Sequence, residues 1–185
     1  MASTPASSVG KILANAVSYG LASSRRCPEK GDEDMAVLDV LNDQVAQELL
    51  ASRELARLAY TWRDGTPRVV PIWFHWTGTE VVVASPSKAP KVKMLSSRPE
   101  VAVTIDGSSW PYHTLLLRGT ATVEQSDGVV PEYAAAAERY FGPEQGSAWI
   151  AQLEEMGLAW TRISITPTHA TVLDFETRFP SALAG

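Results

Sequence analysis

Cysteine is almost absent: Cys27 is the single one in 185 residues, which excludes an intrachain disulfide, a dithiol redox centre and any metal site built on several thiolates. A chain this poor in cysteine suits a reducing cytoplasm, which is the expected compartment. Histidine is scarce as well. His75, His113 and His169 lie far apart, with no second histidine or carboxylate at ligand spacing, so no metal site is expected. No run approaches the ~20 apolar residues of a membrane helix; the stretch 12–22 is short and broken by Asn15, Ser18 and Gly20. Positive charge is in deficit, with a net charge of −5. Affinity for a phosphate backbone needs a broad positive field, so neither nucleic acid nor a membrane is an expected partner. The basic residues present must act locally.

What remains is enough for one domain with a complete hydrophobic core and too short for two of ordinary size. Residues 1–34 are rich in Ser, Ala and charge and end in Glu29-Lys30-Gly31-Asp32-Glu33-Asp34, a composition that buries too little apolar surface to order itself. We expect a disordered tail there, dispensable for function, and a folded domain over 35–185. Asn42 or Asp43 is placed to cap a helix running to Ser52, with Val45, Ala46, Leu49 and Leu50 on one face. Leu55 to Trp62 and Arg68 to Trp76 read as a hairpin closed at Asp64-Gly65, and a second turn falls at Thr77-Gly78.

Further strands are expected over Val81–Ser85, Val101–Asp106 and Thr114–Glu124. A short helix from Pro90 to Ser97 separates the first two. Helices over Tyr133–Phe141 and Ser147–Met156 should cap the sheet. Two last apolar runs, Ala159–Ile165 and Ala170–Phe175, flank Thr166-Pro167-Thr168, whose proline interrupts the sheet without having to end it. Short strands, tight turns and few βαβ spacings predict a mainly β fold, an antiparallel barrel with flanking helices.

The stretch Ser85-Pro86-Ser87-Lys88-Ala89-Pro90-Lys91-Val92-Lys93 carries the chemistry. It places hydroxyls and ammoniums where a β-branched strand gives way to a helix, and Pro90 suits the first helical turn, whose free N–H groups favour an anion. This is a candidate phosphate seat. A lysine cluster on a helix is equally what a solvated surface carries, so the order of the surrounding elements matters.

That order resembles the pyridoxamine 5′-phosphate oxidase-like split-barrel family of flavin and deazaflavin oxidoreductases. The resemblance runs from about Asn42 to Phe175 and is carried by Asp64-Gly65-Thr66-Pro67-Arg68-Val69-Val70-Pro71-Ile72-Trp73-Phe74, by Ser85 through Leu95, and by Arg98-Pro99-Glu100-Val101. Arg118-Gly119-Thr120-Ala121 and Arg162-Ile163-Ser164-Ile165-Thr166-Pro167 complete it. It implies an FMN-binding type of split β-barrel and a homodimer with its cofactor, FMN or the deazaflavin coenzyme F-420, in a groove between subunits. Ser85 and Lys91 fall on the positions that hold the cofactor phosphate, with Lys88 and Lys93 in support. Val70, Pro71 and Ile72 would lie along the ring system. Trp110 and Tyr112, in the turn Trp110-Pro111-Tyr112-His113, would approach the cofactor of the other subunit.

The implied activity is hydride transfer to a small organic acceptor. The alternative is a non-catalytic flavin, haem or tetrapyrrole binding or storage protein on the same barrel. The chain departs from pyridoxamine phosphate oxidases in two ways: Val69–Phe74 carries no cation, and the late arginine-and-histidine set is lacking. Vitamin salvage is therefore not expected. No catalytic residue is assigned, and His113 is read as a packed histidine rather than an acid.

Overall fold

The computed structural model describes residues 37–178; the expected tail over 1–34 and Cys27 lie outside the described residues. Residues 37–41 are helical and lead into α1 (Gln44–Ala51). Asp43 caps α1, its Oδ1 accepting from the Val45 N–H at 2.9 Å, which satisfies one of the donors that a helix start leaves free. Ala46, Leu49 and Leu50 are buried as their spacing predicts.

β1 (Ala56–Thr61) and β2 (Pro67–Ile72) pair in the expected hairpin. Its turn uses Gly65 at φ 85°, a conformation that costs glycine nothing, and Asp64 Oδ1 accepts from the Thr66 N–H at 3.0 Å. There follow β3 (His75–Trp76), β4 (Val81–Pro86), α2 (Pro90–Ser97), β5 (Glu100–Asp106) and β6 (His113–Ser126). α3 (Pro131–Phe141), α4 (Pro143–Glu155) and β7 (Trp160–Asp174) complete the described chain.

Every strand pairing is antiparallel, in one seven-stranded sheet of order β2-β1-β5-β6-β7-β4-β3. The two end strands, β2 and β3, are consecutive in the chain, with only Trp73 and Phe74 between them. A chain segment that short requires the sheet to curl until its edges meet, which makes it a barrel. Leu58, Val81, Val83, Val103, Ile105, Leu115, Leu117, Ile163 and Ile165 belong to one buried cluster at its centre. A smaller cluster of Ala84, Val130, Leu153 and Trp160 binds the α3–α4 pair to the sheet.

Three expectations are corrected. Arg68 to Trp76 is not one strand. Trp73 packs against the aromatics of α3 while Phe74 is 1 % exposed within the barrel core, and the Phe74 carbonyl accepts from Arg139 instead of from a strand. The second capping helix begins at Pro143 rather than Ser147. Gly146 does not break it: a Cβ there would lie 2.7 Å from the Glu138 backbone, so this glycine is where α3 and α4 touch. The last two apolar runs form a single strand, β7, in which Arg118 faces His169 and Gly119 faces Pro167. Thr168 is the extra residue of a β-bulge, and the Thr166-Pro167-Thr168 interruption is absorbed there.

Candidate functional site

The barrel is split, and the split holds the candidate site. β3 pairs only with Val81 and Val82 of β4, so the rest of β4 lacks a strand partner on that side among the described residues. The outer edge of β2 lacks one too. Between these two edges lies a cleft of about 480 Å³, with Val70, Pro71, Ile72 and Trp73 on one wall and Ala84, Ser85 and Pro86 on the other. That volume falls within the roughly 300–1,000 Å³ usual for small-molecule sites.

Five of the nine residues predicted from sequence line this cleft together: Val70, Pro71, Ile72, Ser85 and Lys91. Ser85 is 1 % exposed, and its Oγ has no hydrogen-bond partner among the described residues. A buried hydroxyl without a partner is costly, and native structures rarely carry one without a reason. Lys91 sits in the first turn of α2, half-buried. Burial pushes its ammonium below the ordinary lysine value, and no carboxylate opposes that shift. α2 has no side-chain cap. A half-buried cation in the first turn of an uncapped helix and an unsatisfied hydroxyl on the strand before it form a donor set suited to an anion.

The other four predicted residues lie elsewhere. Lys88 and Lys93 are exposed and do not line the cleft. Trp110 and Tyr112, on the connection between β5 and β6, are 65 % and 48 % exposed and meet edge to face at 5.5 Å. Neither lines the cleft. His113 Nε2 lies 3.4 Å from Asp174 Oδ1 and 3.6 Å from Glu176 Oε2, a packed position outside the cleft.

A third wall comes from α3, α4, the connection after α4 and the start of β7, whose Tyr133, Trp149, Leu153, Leu158 and Trp160 also line the cleft. Trp73 stacks on Tyr133 at 5.5 Å, Tyr133 packs against Trp160 at 5.2 Å, and the Trp149 Nε1–H donates to the Tyr133 hydroxyl at 3.3 Å. Arg162 fastens α3 to the sheet: its Nε donates to Glu132 Oε1 at 2.8 Å, and its terminal nitrogens reach Glu80 and Glu124 at 3.4 Å. The Tyr140 hydroxyl donates to the Glu54 carbonyl at 2.6 Å.

The family profile described as pyridoxamine 5′-phosphate oxidase matches residues 42–167. The chain belongs to the pyridoxamine 5′-phosphate oxidase family. No curated protein sequence matches it. Solved structures do. One described as an F420 reductase is 24 % identical with a TM-score of 0.51, covering 68 % of this chain and 94 % of its own. A conserved hypothetical protein of Mycobacterium tuberculosis is 18 % identical with a TM-score of 0.57, covering 75 % and 88 %. A heme storage protein of Vibrio cholerae is 16 % identical with a TM-score of 0.50, covering 69 % and 90 %. At these identities the likeness shows the split-barrel fold.

In this family member, the sequence pointed to Val70, Pro71, Ile72, Ser85 and Lys91, which line one cleft, but not to the aromatic wall. α3 and α4 read as helices that cap a sheet, and they do. The signal available was aromatic placement: Tyr133 and Trp149 are large rings on helices otherwise rich in alanine, glutamate and glutamine, and Trp160 opens a strand. Among the described residues no group of three or more His, Cys, Asp or Glu is arranged to hold a metal ion, and no helix is long and apolar enough to cross a membrane.

Proposed function

We propose that this protein is a homodimeric oxidoreductase that binds FMN or coenzyme F-420 in the split and serves hydride transfer to a small organic acceptor. The observation that carries this reading is the buried, partnerless Ser85 hydroxyl in the same cleft as the half-buried Lys91 ammonium. Ser85 would give a directed hydrogen bond to the phosphate and Lys91 a compact positive charge. Val70, Pro71 and Ile72 would present an unpaired strand edge to the polar rim of the ring system. Trp110 and Tyr112 of one protomer would meet the cofactor of the other, a role that fits two exposed aromatics that do not line their own cleft.

The cofactor supplies the hydride chemistry when bound, and the protein binds and orients it. The residues here keep water from the ring, since every cleft residue other than Ser85 and Lys91 is apolar or aromatic. The family match and the F420 reductase among the structural neighbours support an oxidoreductase.

Storage of haem, the function named for one neighbour, draws less support from this cleft. No histidine, cysteine or methionine lines it, and the Tyr133 hydroxyl is already engaged by Trp149. Titration of the purified protein with FMN and with F-420, followed by calorimetry, tests the proposal. We expect saturable binding of one of the two at one site per protomer. Binding of neither, with haem bound instead, would overturn it.

A further inference from the structure

Ser85 is not the sole unsatisfied donor in the cleft. The Nε1 of Trp160 is buried without a hydrogen-bond partner, and Trp160 itself is 4 % exposed and lines the same cleft. An indole N–H can only donate, and a buried one normally has an acceptor. The other cleft indole with a recorded partner shows the contrast: Trp149 Nε1–H is taken by the Tyr133 hydroxyl at 3.3 Å. The ring of Trp160 is held in place, tilted against Tyr133 at 5.2 Å and packed with Ala84, Val130 and Leu153. Its ring is therefore held in place while its N–H has no partner among the described residues.

We infer that the Trp160 Nε1–H is a ligand contact, donating to a carbonyl oxygen or ring nitrogen on the planar heterocycle of the bound cofactor. This rests on the proposed function. The chemistry around Trp160 differs from that of Ser85 and Lys91. Trp160 stands opposite Pro86 in the β4–β7 register and belongs to the apolar cluster shared with α3 and α4. Ser85 is the neighbour of Pro86 on β4 and stands opposite Thr161, and Lys91 brings the positive charge of the lining. A neutral donor in an apolar wall matches a neutral acceptor on a ring edge. Nothing charged besides Lys91 lines the cleft, so ring recognition must rely on such neutral donors and on the strand edges.

The test compares wild type with Trp160→Phe, which keeps the ring and removes the N–H, titrated with FMN and with riboflavin, and in parallel with F-420 and its phosphate-free chromophore. For whichever pair wild type binds, Trp160→Phe is expected to weaken both members equally, by about three- to tenfold, as loss of one neutral hydrogen bond does. A loss confined to the phosphorylated member would assign the N–H to the phosphate and overturn the inference, as would unchanged affinity for both. Absence of wild-type binding to either pair would overturn the proposed function itself. A measurement on the unaltered side chain guards against a folding defect: in protein with 15N-labelled tryptophan, the Trp160 indole proton should move downfield on ligand addition. A resonance that stays in place while ligand is bound would also overturn the inference.

Discussion

Trp73 lies face to face on Tyr140, with ring centroids 5.0 Å apart and planes 8° from parallel. The contact joins the gap between β2 and β3 to the last turn of α3, and Phe141 meets the same indole edge-on at 4.8 Å. Arg139 adds a hydrogen bond to the Phe74 carbonyl and lies 4.6 Å over the Phe74 ring. The chain leaves one edge of the sheet and joins the other where these groups hold it. The opening between the two edges is thus fixed by α3, an element otherwise outside the barrel.

Trp73→Ala should therefore cost more than its partial exposure indicates. We expect a loss of about 2–4 kcal/mol in urea unfolding, somewhat below the ~3–5 kcal/mol of a fully buried aromatic truncated to alanine. Because the side chain also walls the cleft, cofactor affinity should fall in parallel. Trp73→Phe, which preserves stacking, should recover most of the stability. A stability change under 1 kcal/mol for the alanine variant would show that α3 does not hold the split.

Gly119 is required by a close approach. A Cβ at this position would lie 2.3 Å from the Thr166 carbonyl oxygen and 3.2 Å from the Pro167 Cα, both backbone atoms of the partner strand that cannot rotate aside. Gly119→Ala should disrupt the bulge between β6 and β7 and lower stability by about 1–3 kcal/mol, the range for forced overpacking, measured by thermal melting. Gly128→Ala is the useful comparison. There a Cβ meets nothing within 4 Å but the φ is 89°, so its cost would come from backbone strain alone.

Much of this architecture is legible in the sequence because local signals agree with the final fold. Asp43 is both a good cap and the actual cap, Asp64-Gly65 makes the turn it predicts, and alternation along Val101–Asp106 matches its buried face. That Val70, Pro71, Ile72, Ser85 and Lys91 would come together was legible for the same reason, since they lie on two short stretches of the chain. The failures share a different cause. Trp73 and Phe74 continue an apolar run, and nothing local shows that one must turn to α3 and the other to the core. Gly146 has the appearance of a helix breaker because its purpose is contact with Glu138. The aromatic wall gathers residues from positions 73, 133, 149 and 160, which only the tertiary structure brings together.

Asp174 makes folding sensitive to acid. Its carboxylate accepts from the Thr177 hydroxyl at 2.6 Å, from the Thr177 and Glu176 N–H groups at 3.0 and 2.9 Å, and from Arg178 at 3.2 Å. The Thr177 hydrogen bonds, with those of Glu176 and Arg178, hold its pKa well below the ordinary carboxylate value of 3.8. A depressed carboxylate pKa contributes stability that is fully present above the unfolded value and fades as pH falls below it. The melting temperature should therefore drop on acidification below about pH 4. Asp174→Asn should be less stable at pH 7 and should show a shallower acid loss. An acid profile identical to wild type would show that other carboxylates dominate.

Lys91 ties the proposed chemistry to pH. Without ligand, burial lowers its pKa from the ordinary 10.5, so the charged form is disfavoured in the fold and stability should rise slightly as pH climbs through the depressed value. A bound phosphate reverses the preference, because it needs the ammonium. Cofactor affinity should then be level near neutral pH and decline in the alkaline range, at a lower pH than an ordinary lysine would give. Lys91→Ala should weaken FMN or F-420 binding by about 1.5–3 kcal/mol, the range for a charged hydrogen bond, while leaving the phosphate-free chromophore nearly unaffected. Lys91→Arg should keep part of the affinity and abolish the alkaline decline, since guanidinium does not deprotonate there. If Lys91→Ala binds the phosphorylated cofactor as tightly as wild type, the ammonium belongs to the solvated surface and the phosphate seat has been misplaced.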